Sequence, residues 1–254
     1  MRVAVVGASS GLGRCIGVGL GRRGHQVALM ARRKERLDAA VAEAGEQARA
    51  IACDVVDEAS VAAAVGDAVS GMGGLDALIY TPAIGPLARL VDTDAATWRR
   101  VFDTNVTGAA VVTTAVLPHL ADSPTGTAMF LSSVSASETP PWPGLGAYAV
   151  SKAALDKLVE AWRIEHPNIG FTRSVVGDCA GGEGDGMTGF ANDWDWNLAG
   201  ELHPIWVARN LIAGSFIAVD DLVNAVDAVL TSGASISMPT VVVAPRRPAD
   251  SAPI

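Results

Sequence analysis

The chain has 254 residues, half of them hydrophobic and 18% charged, which suits one large α/β domain with a well-buried core. A formal net charge of −8 argues against nucleic acid or an anionic membrane surface as partner. No window of about 18 residues is both apolar and uncharged, so no membrane span is expected. Cys15, Cys53 and Cys179 are far apart and odd in number, which reads as reduced thiols in a cytoplasmic protein, without metal or redox spacing.

Residues 2–6 form a buried-strand run that stops at Gly7. A helix follows to about Arg23, with Gly24 as its C-terminal cap, and a second strand spans 26–30. Gly7, Gly11 and Gly13 stand directly after a strand and open a helix. Glycine there allows a tight turn and lets backbone N–H groups approach a pyrophosphate at the helix N-terminus. The turn, including Ser9, Ser10 and Leu12, is therefore predicted to hold a dinucleotide. An NAD site wants Asp or Glu at the end of the second strand for the ribose 2′-hydroxyl. Here the strand ends in Ala31, Arg32, Arg33 and Lys34, with no carboxylate before Glu35. Arg32 can fork onto a 2′-phosphate, with Arg33 or Arg14 assisting, so NADP(H) is expected over NAD(H), which remains possible.

Residues 34–44 read as an amphipathic helix and 49–53 as a third strand. Asp54 and Val55 follow, placed to accept from an adenine amino group and to lie beside its ring; the bland reading of Asp54 is a helix N-cap ahead of a helix over 58–70, and the two roles are compatible. A fourth strand over 75–80 runs into a Pro-containing turn. A long helix is predicted from 95 to 117, ended by Pro118. Asn105 in its middle is either an exposed polar position or a side chain that breaks the helix ladder and holds a water. A fifth strand over 127–131 ends in Ser132, Ser133 and Ser135.

The stretch 146–165 reads as one helix that carries Tyr148 and Lys152 on the same face. A phenol normally ionises near pH ~10, and a neighbouring ammonium lowers that value. A Tyr so tuned is a general acid and base. A sixth strand spans 170–176. The segment 178–204 is too long for a simple connection and is predicted to be a substrate lid, with Met187, Phe190, Trp194 and Trp196 as apolar contacts and His203 as a structural residue. Helices near 205–212 and 219–230, a last strand over 239–244 and a loose tail complete the chain, with no repeat and no domain linker.

Taken in order, the glycine turn, Asp54 and Val55, Asn105, Ser133, Tyr148 and Lys152 resemble the short-chain dehydrogenase/reductase family over residues 2–176, and more loosely to 244. The resemblance implies that Tyr148 donates or accepts the proton, and that Lys152 binds the nicotinamide ribose and lowers the Tyr pKa. It also implies that Ser133 positions the substrate oxygen and that Asn105 holds a water in a relay to Lys152. Thr81 and Thr188 are implied as further cofactor contacts. The sequence departs from the family pattern at Val6, at Tyr80-Thr81-Pro82-Ala83, at Gly177-Asp178, and in the 15 residues from Ser133 to Tyr148.

The expected fold is a single doubly wound Rossmann domain over 1–254, a parallel sheet of about seven strands with helices on both faces. The expected activity is hydride transfer between NADP(H) and a small-molecule carbonyl or alcohol, without a metal. A non-catalytic NADP(H)-binding sensor or scaffold and a sugar-nucleotide epimerase or dehydratase are the alternatives. The long helices near 95–117 and 147–165 resemble those the family uses to form homodimers or homotetramers.

Overall fold

The computed structural model describes residues 1–181 and 189–246. Seven parallel strands form the central sheet: β1 (Arg2–Val6), β2 (Gln26–Ala31), β3 (Ala48–Ala52), β4 (Ala77–Tyr80), β5 (Thr127–Ser133), β6 (Gly170–Val176) and, as the last strand, Thr240–Val243. Their order is β3-β2-β1-β4-β5-β6 and then Thr240–Val243. Helices α1 (Gly11–Arg22), α2 (Lys34–Ala44) and α3 (Glu58–Met72) connect the first four strands. Parallel strands need such crossovers, which leaves both sheet faces covered.

The period of two along β1 assigns its residues to the two cores. Ala4 and Val6 face α3 and the later helices, with Ala28, Met30, Leu78, Tyr80, Phe130 and Phe171. Val3 and Val5 face α1 and α2, with Val27, Leu29, Ile79 and Met129. Burial on both sides is why the strand reads as a continuous apolar run rather than an alternating one.

Between β4 and β5 the predicted single helix is three pieces: α4 (Ala95–Phe102), a π-helical turn (Asp103–Thr107) and α5 (Gly108–Ala121). Asn105 lies in the π turn and is fully buried. Its side chain accepts from Ile84 N at 2.9 Å and donates to Ile84 O at 3.0 Å and to Ser151 Oγ at 2.8 Å. Those partners fix where the ladder opens. Pro118 does not end α5, which runs on to Ala121. Burial of Val116 and Leu120 outweighs the one backbone bond that the proline removes.

After β5 come a short helix α6 (Val134–Ser137) and α7 (Gly146–Glu165). The segment 178–204, expected as a substrate lid, holds regular structure among its described residues. It contains a short strand β7 (Cys179–Ala180) and most of α8 (Trp196–Ala208), which replaces the helix predicted at 205–212. Asp195 caps α8, accepting from Asn197 N and Leu198 N, and this signal places the helix start ahead of Pro204. Strand β8 (Ile217–Ala218) pairs with β7, and α9 (Val219–Leu230) packs on the α1 side of the sheet. The last strand, Thr240–Val243, is β9. Among the described residues no helix is long and apolar enough to cross a membrane.

The N-terminal ends of the central strands β1 and β4, away from the cleft, are clamped by Asp76. Arg2 donates to its carboxylate through N at 2.8 Å, Nε at 3.1 Å and Nη2 at 2.6 Å, and Ser123 Oγ adds a fourth bond at 2.9 Å. Burial alone would raise the Asp76 carboxyl, but the hydrogen bonds from Arg2 and Ser123 hold it down at about 2. The unfolded value is about 4, so this stabilisation is present above pH ~4 and is lost as pH falls toward the folded value. Asp76→Asn is expected to lower the unfolding free energy at pH 7 by about 1–2 kcal/mol, after discounting for partial exposure. In urea titrations the difference from the parent protein should shrink between pH 4 and pH 2; a difference independent of pH would refute the clamp.

Candidate active site

A cavity of about 850 Å³ opens at the C-terminal ends of six of the seven sheet strands. It straddles the point between β1 and β4 where the direction of winding reverses, the place where open α/β sheets bind ligands. One end is lined by Gly7, Ser9, Ser10, Gly11, Leu12 and Gly13, by Arg32 and Arg33 after β2, and by Asp54 and Val55 after β3. The other end is lined by Ser133, Ser135, Tyr148 and Lys152, and by Trp142, Leu145, Phe190 and Trp194.

The glycine turn is a close-packed cradle. Gly7 has φ +85° and Gly11 φ +56°, left-handed values at which other residues are strained. A Cβ on Gly7 or Gly13 would collide with Thr81 Oγ1. Thr81 is thus a structural part of the turn as well as a lining residue: Oγ1 donates to Val6 O at 2.6 Å. In this way a threonine braces the first turn where the sequence departs from the family pattern. Ser9 and Ser10 hydroxyls accept from Arg33 Nη2 at 3.0 and 2.8 Å. Arg32 is exposed on the rim, with no hydrogen bond or ion pair among the described residues.

Asp54 does not cap α3. Asp57 does, accepting from Ala59 N at 2.9 Å and Ser60 N at 3.2 Å. Asp54 instead faces the cavity, and its own backbone N–H is held by Ser60 Oγ at 2.9 Å. Val55 is buried beside it.

At the other end, β5 extends two residues further than predicted and carries Ser132 and Ser133 in extended backbone. Ser133 Oγ caps α6, accepting from Ser135 N at 3.2 Å, and lies 3.0 Å from Ser135 Oγ. Tyr148 and Lys152 stand one turn apart on α7, with Lys152 Nζ 5.8 Å from the centre of the Tyr148 ring. Lys152 is 2% exposed and donates to Leu131 O at 2.6 Å. Asn105 is absent from the cavity lining; through Ser151, whose hydroxyl also donates to Tyr148 O at 2.7 Å, it fixes the turn that bears Tyr148.

The electrostatics correct one expectation. Burial pushes the Tyr148 phenol up to about 12, Ser133 pulls it back in part, and Asp156 pushes it further. Lys152 is itself pushed down to about 8 by burial, with Asp156 acting against that. In this site desolvation dominates both groups, and the nearby ammonium does not bring the phenol below its ordinary value.

Asp156, one turn beyond Lys152, was not singled out in the sequence. It is 4% exposed, and neither carboxylate oxygen has a hydrogen-bond partner among the described residues. Arg173 Nη1 is 3.6 Å away, and the buried Ser132 hydroxyl faces it without closing a full hydrogen bond. Burial raises its pKa. The i, i+4, i+8 spacing of Tyr148, Lys152 and Asp156 was the available signal. Arg99 and Arg100 of α4 also line the cavity and were likewise missed. Thr188 and Met187 lie outside the described residues. Among the described residues no His, Cys, Asp and Glu group fits a metal.

A family model described as short chain dehydrogenase matches residues 1–181. A short chain dehydrogenase of Pseudocercospora fijiensis is 35% identical over 171 residues, covering 65% of this chain and 55% of that protein. The chain spans between about half and two thirds of the length of the first curated relatives it matches. Among solved structures, an alcohol dehydrogenase from Thermococcus sibiricus complexed with 5-hydroxy-NADP superposes with a TM-score of 0.79 at 21% identity, covering 95% of this chain and 94% of that one. A 3-ketoacyl-(acyl-carrier-protein) reductase from Brucella melitensis complexed with NADH gives 0.79 at 23% identity, covering 96% of both chains. The chain belongs to the short-chain dehydrogenase/reductase family of oxidoreductases.

Proposed function

We propose that this chain interconverts a carbonyl and an alcohol with NADP(H), and that Tyr148 is its general acid and base. The observation that carries the reading is that one cavity holds both the glycine cradle and the Ser133, Tyr148 and Lys152 group. The cradle fits a dinucleotide: glycine at 7 and 13 lets the turn close tightly against Thr81, and the N-terminus of α1 faces the cavity. A bound nicotinamide dinucleotide supplies the hydride acceptor or donor. At neutral pH the Tyr148 phenol is protonated and ready to donate to a carbonyl oxygen, with Ser133 beside it. Lys152 at about 8 is then mainly a cation, able to favour the phenolate that donation leaves behind.

The coenzyme preference rests on Arg32. The exposed guanidinium is unspent, whereas Arg33 is engaged with Ser9 and Ser10, and no acid stands at the end of β2 to meet a 2′-hydroxyl. The two solved relatives described above hold an NADP derivative and NADH respectively, so the choice lies with this chain's own residues. A homodimer or homotetramer and a cytoplasmic location are parts of the same reading.

Tyr148→Phe should lower turnover about 10²–10⁴-fold while leaving the dissociation constant for NADPH unchanged; near-normal turnover on any accepted substrate would sink the mechanism. Arg32→Ala should weaken NADPH binding by about 1.5–3 kcal/mol, the worth of a charged hydrogen bond, and leave NADH untouched. Tighter NADH than NADPH binding by the parent protein would reverse the assignment. Reductive kcat/KM should fall as pH rises through 8, because the Lys152 cation is lost there. Asp156→Asn should move that limb to lower pH, since Asp156 holds the proton on Lys152.

A further inference from the structure

The wall of the cavity beyond Tyr148 is aromatic and already locked. Phe190 meets the Tyr148 ring edge-on with centroids 4.9 Å apart, and Trp194 meets Phe190 at 5.8 Å. Gly85 makes room for Phe190, since a Cβ there would collide with its ring. Trp194 is held from behind: Nε1 donates to Gly85 O at 2.9 Å, and its ring packs against Trp206 at 6.0 Å. Trp206 in turn packs against Trp142 at 5.3 Å and donates to Pro143 O at 2.9 Å. Both indole N–H groups are therefore spent on the protein. The hydroxyls of Ser133, Ser135 and Tyr148 are the polar groups on hand for a substrate oxygen.

Charge is partitioned along the cavity. Arg32 and Arg33 follow β2 on the cradle side, and Arg99 and Arg100 lie on α4, which packs against α7. Lys152, the cation one turn from Tyr148, is buried and already donates to Leu131 O. From Arg173 to Arg209 the sequence has no Lys or Arg, but carries Asp178, Glu183, Asp185, Asp193, Asp195 and Glu201. A carboxylate brought to this wall would lose its water, and neither the Trp194 nor the Trp206 indole N–H is left to meet it. An aryl ring would gain edge-to-face contacts that an anion or a plain alkyl chain does not.

We propose that the substrate is a neutral aryl ketone, or the corresponding aryl carbinol, seated with its ring against Phe190 and Trp194 and its oxygen at Ser133 and Tyr148. This rests on the oxidoreductase reading above and adds the substrate class to it. In reduction the carbonyl carbon gains a hydride from the reduced coenzyme and the oxygen gains the Tyr148 proton; the coenzyme is oxidised and the phenol regains its proton from solvent.

The test uses the full chain and three acetophenones that differ only at the para position: tert-butyl, trimethylammonio and carboxylate. Binding is read from tryptophan fluorescence with NADP⁺ present, and turnover from NADPH oxidation. The tert-butyl compound should bind at least tenfold more tightly than the carboxylate and more tightly than its cationic isostere. Phe190→Ala should weaken it severalfold without changing NADPH affinity. Equal or tighter binding of either charged compound overturns the proposal, as does an unchanged affinity in Phe190→Ala. Selective binding of the neutral ketone with no NADPH oxidation would support this ligand assignment and sink the oxidoreductase reading instead.

Discussion

Burying the Lys152 amine sets the terms for the rest of the site. A lysine 2% exposed beneath a helix loses most of its hydration, and its charge survives near neutral pH only because something replaces that water. Leu131 O takes one donor at 2.6 Å, and Asp156 supplies the opposing charge from one turn further along α7. Asp156 is itself buried without a closed hydrogen bond, and burial raises its pKa, so its ionised form is held against the preference of its surroundings. Under the mechanism proposed above, a carboxylate held at that disadvantage acts on the protonation of Lys152.

The scaffold serves this group by fixing α7 on two sides. Asn105 spends its amide on Ile84 and Ser151, and opening the helix into a π turn is what brings that amide within reach. The same bonds tie the turn after β4 to the first turn of α7. The turn after β4 in its turn carries Thr81, whose hydroxyl reaches back to Val6 and closes on Gly7 and Gly13. The coenzyme cradle and the proton-transfer group are therefore parts of one connected framework, and a change in either glycine would be felt at Tyr148.

The framework was legible in the sequence wherever burial was two-sided and local. The bounds of β1, α2, β6 and α9 agree with the sequence because apolar runs and helical periods there are uninterrupted. The C-terminal cap at Gly24 agrees too, with φ +87°. What escaped was decided by partners distant in sequence. The helix over 95–117 reads as continuous because nothing local reveals that Asn105 binds Ile84. Asp54 reads as a cap on pattern alone, and only the fold shows that Asp57 takes that place and Asp54 faces the cavity. Spacing put Tyr148 and Lys152 together correctly, but the sign of the phenol's shift depends on how much water each group loses, and spacing does not carry that.

The same limit applies to what the cavity accepts, and there charge distribution is informative where motifs are not. A chain with net charge −8 repels anions on average, yet it places Arg32 and Arg33 at the cradle end of its cavity. An anionic coenzyme is thereby drawn to the cradle against the field of the whole protein. The segment that builds the aromatic end is acidic and without Lys or Arg, so that attraction does not extend past Tyr148. One cavity can then hold two chemically opposite ligands in a single orientation: phosphates at the arginines, an apolar body at Phe190 and Trp194, and between them the hydroxyls at which a proton is exchanged.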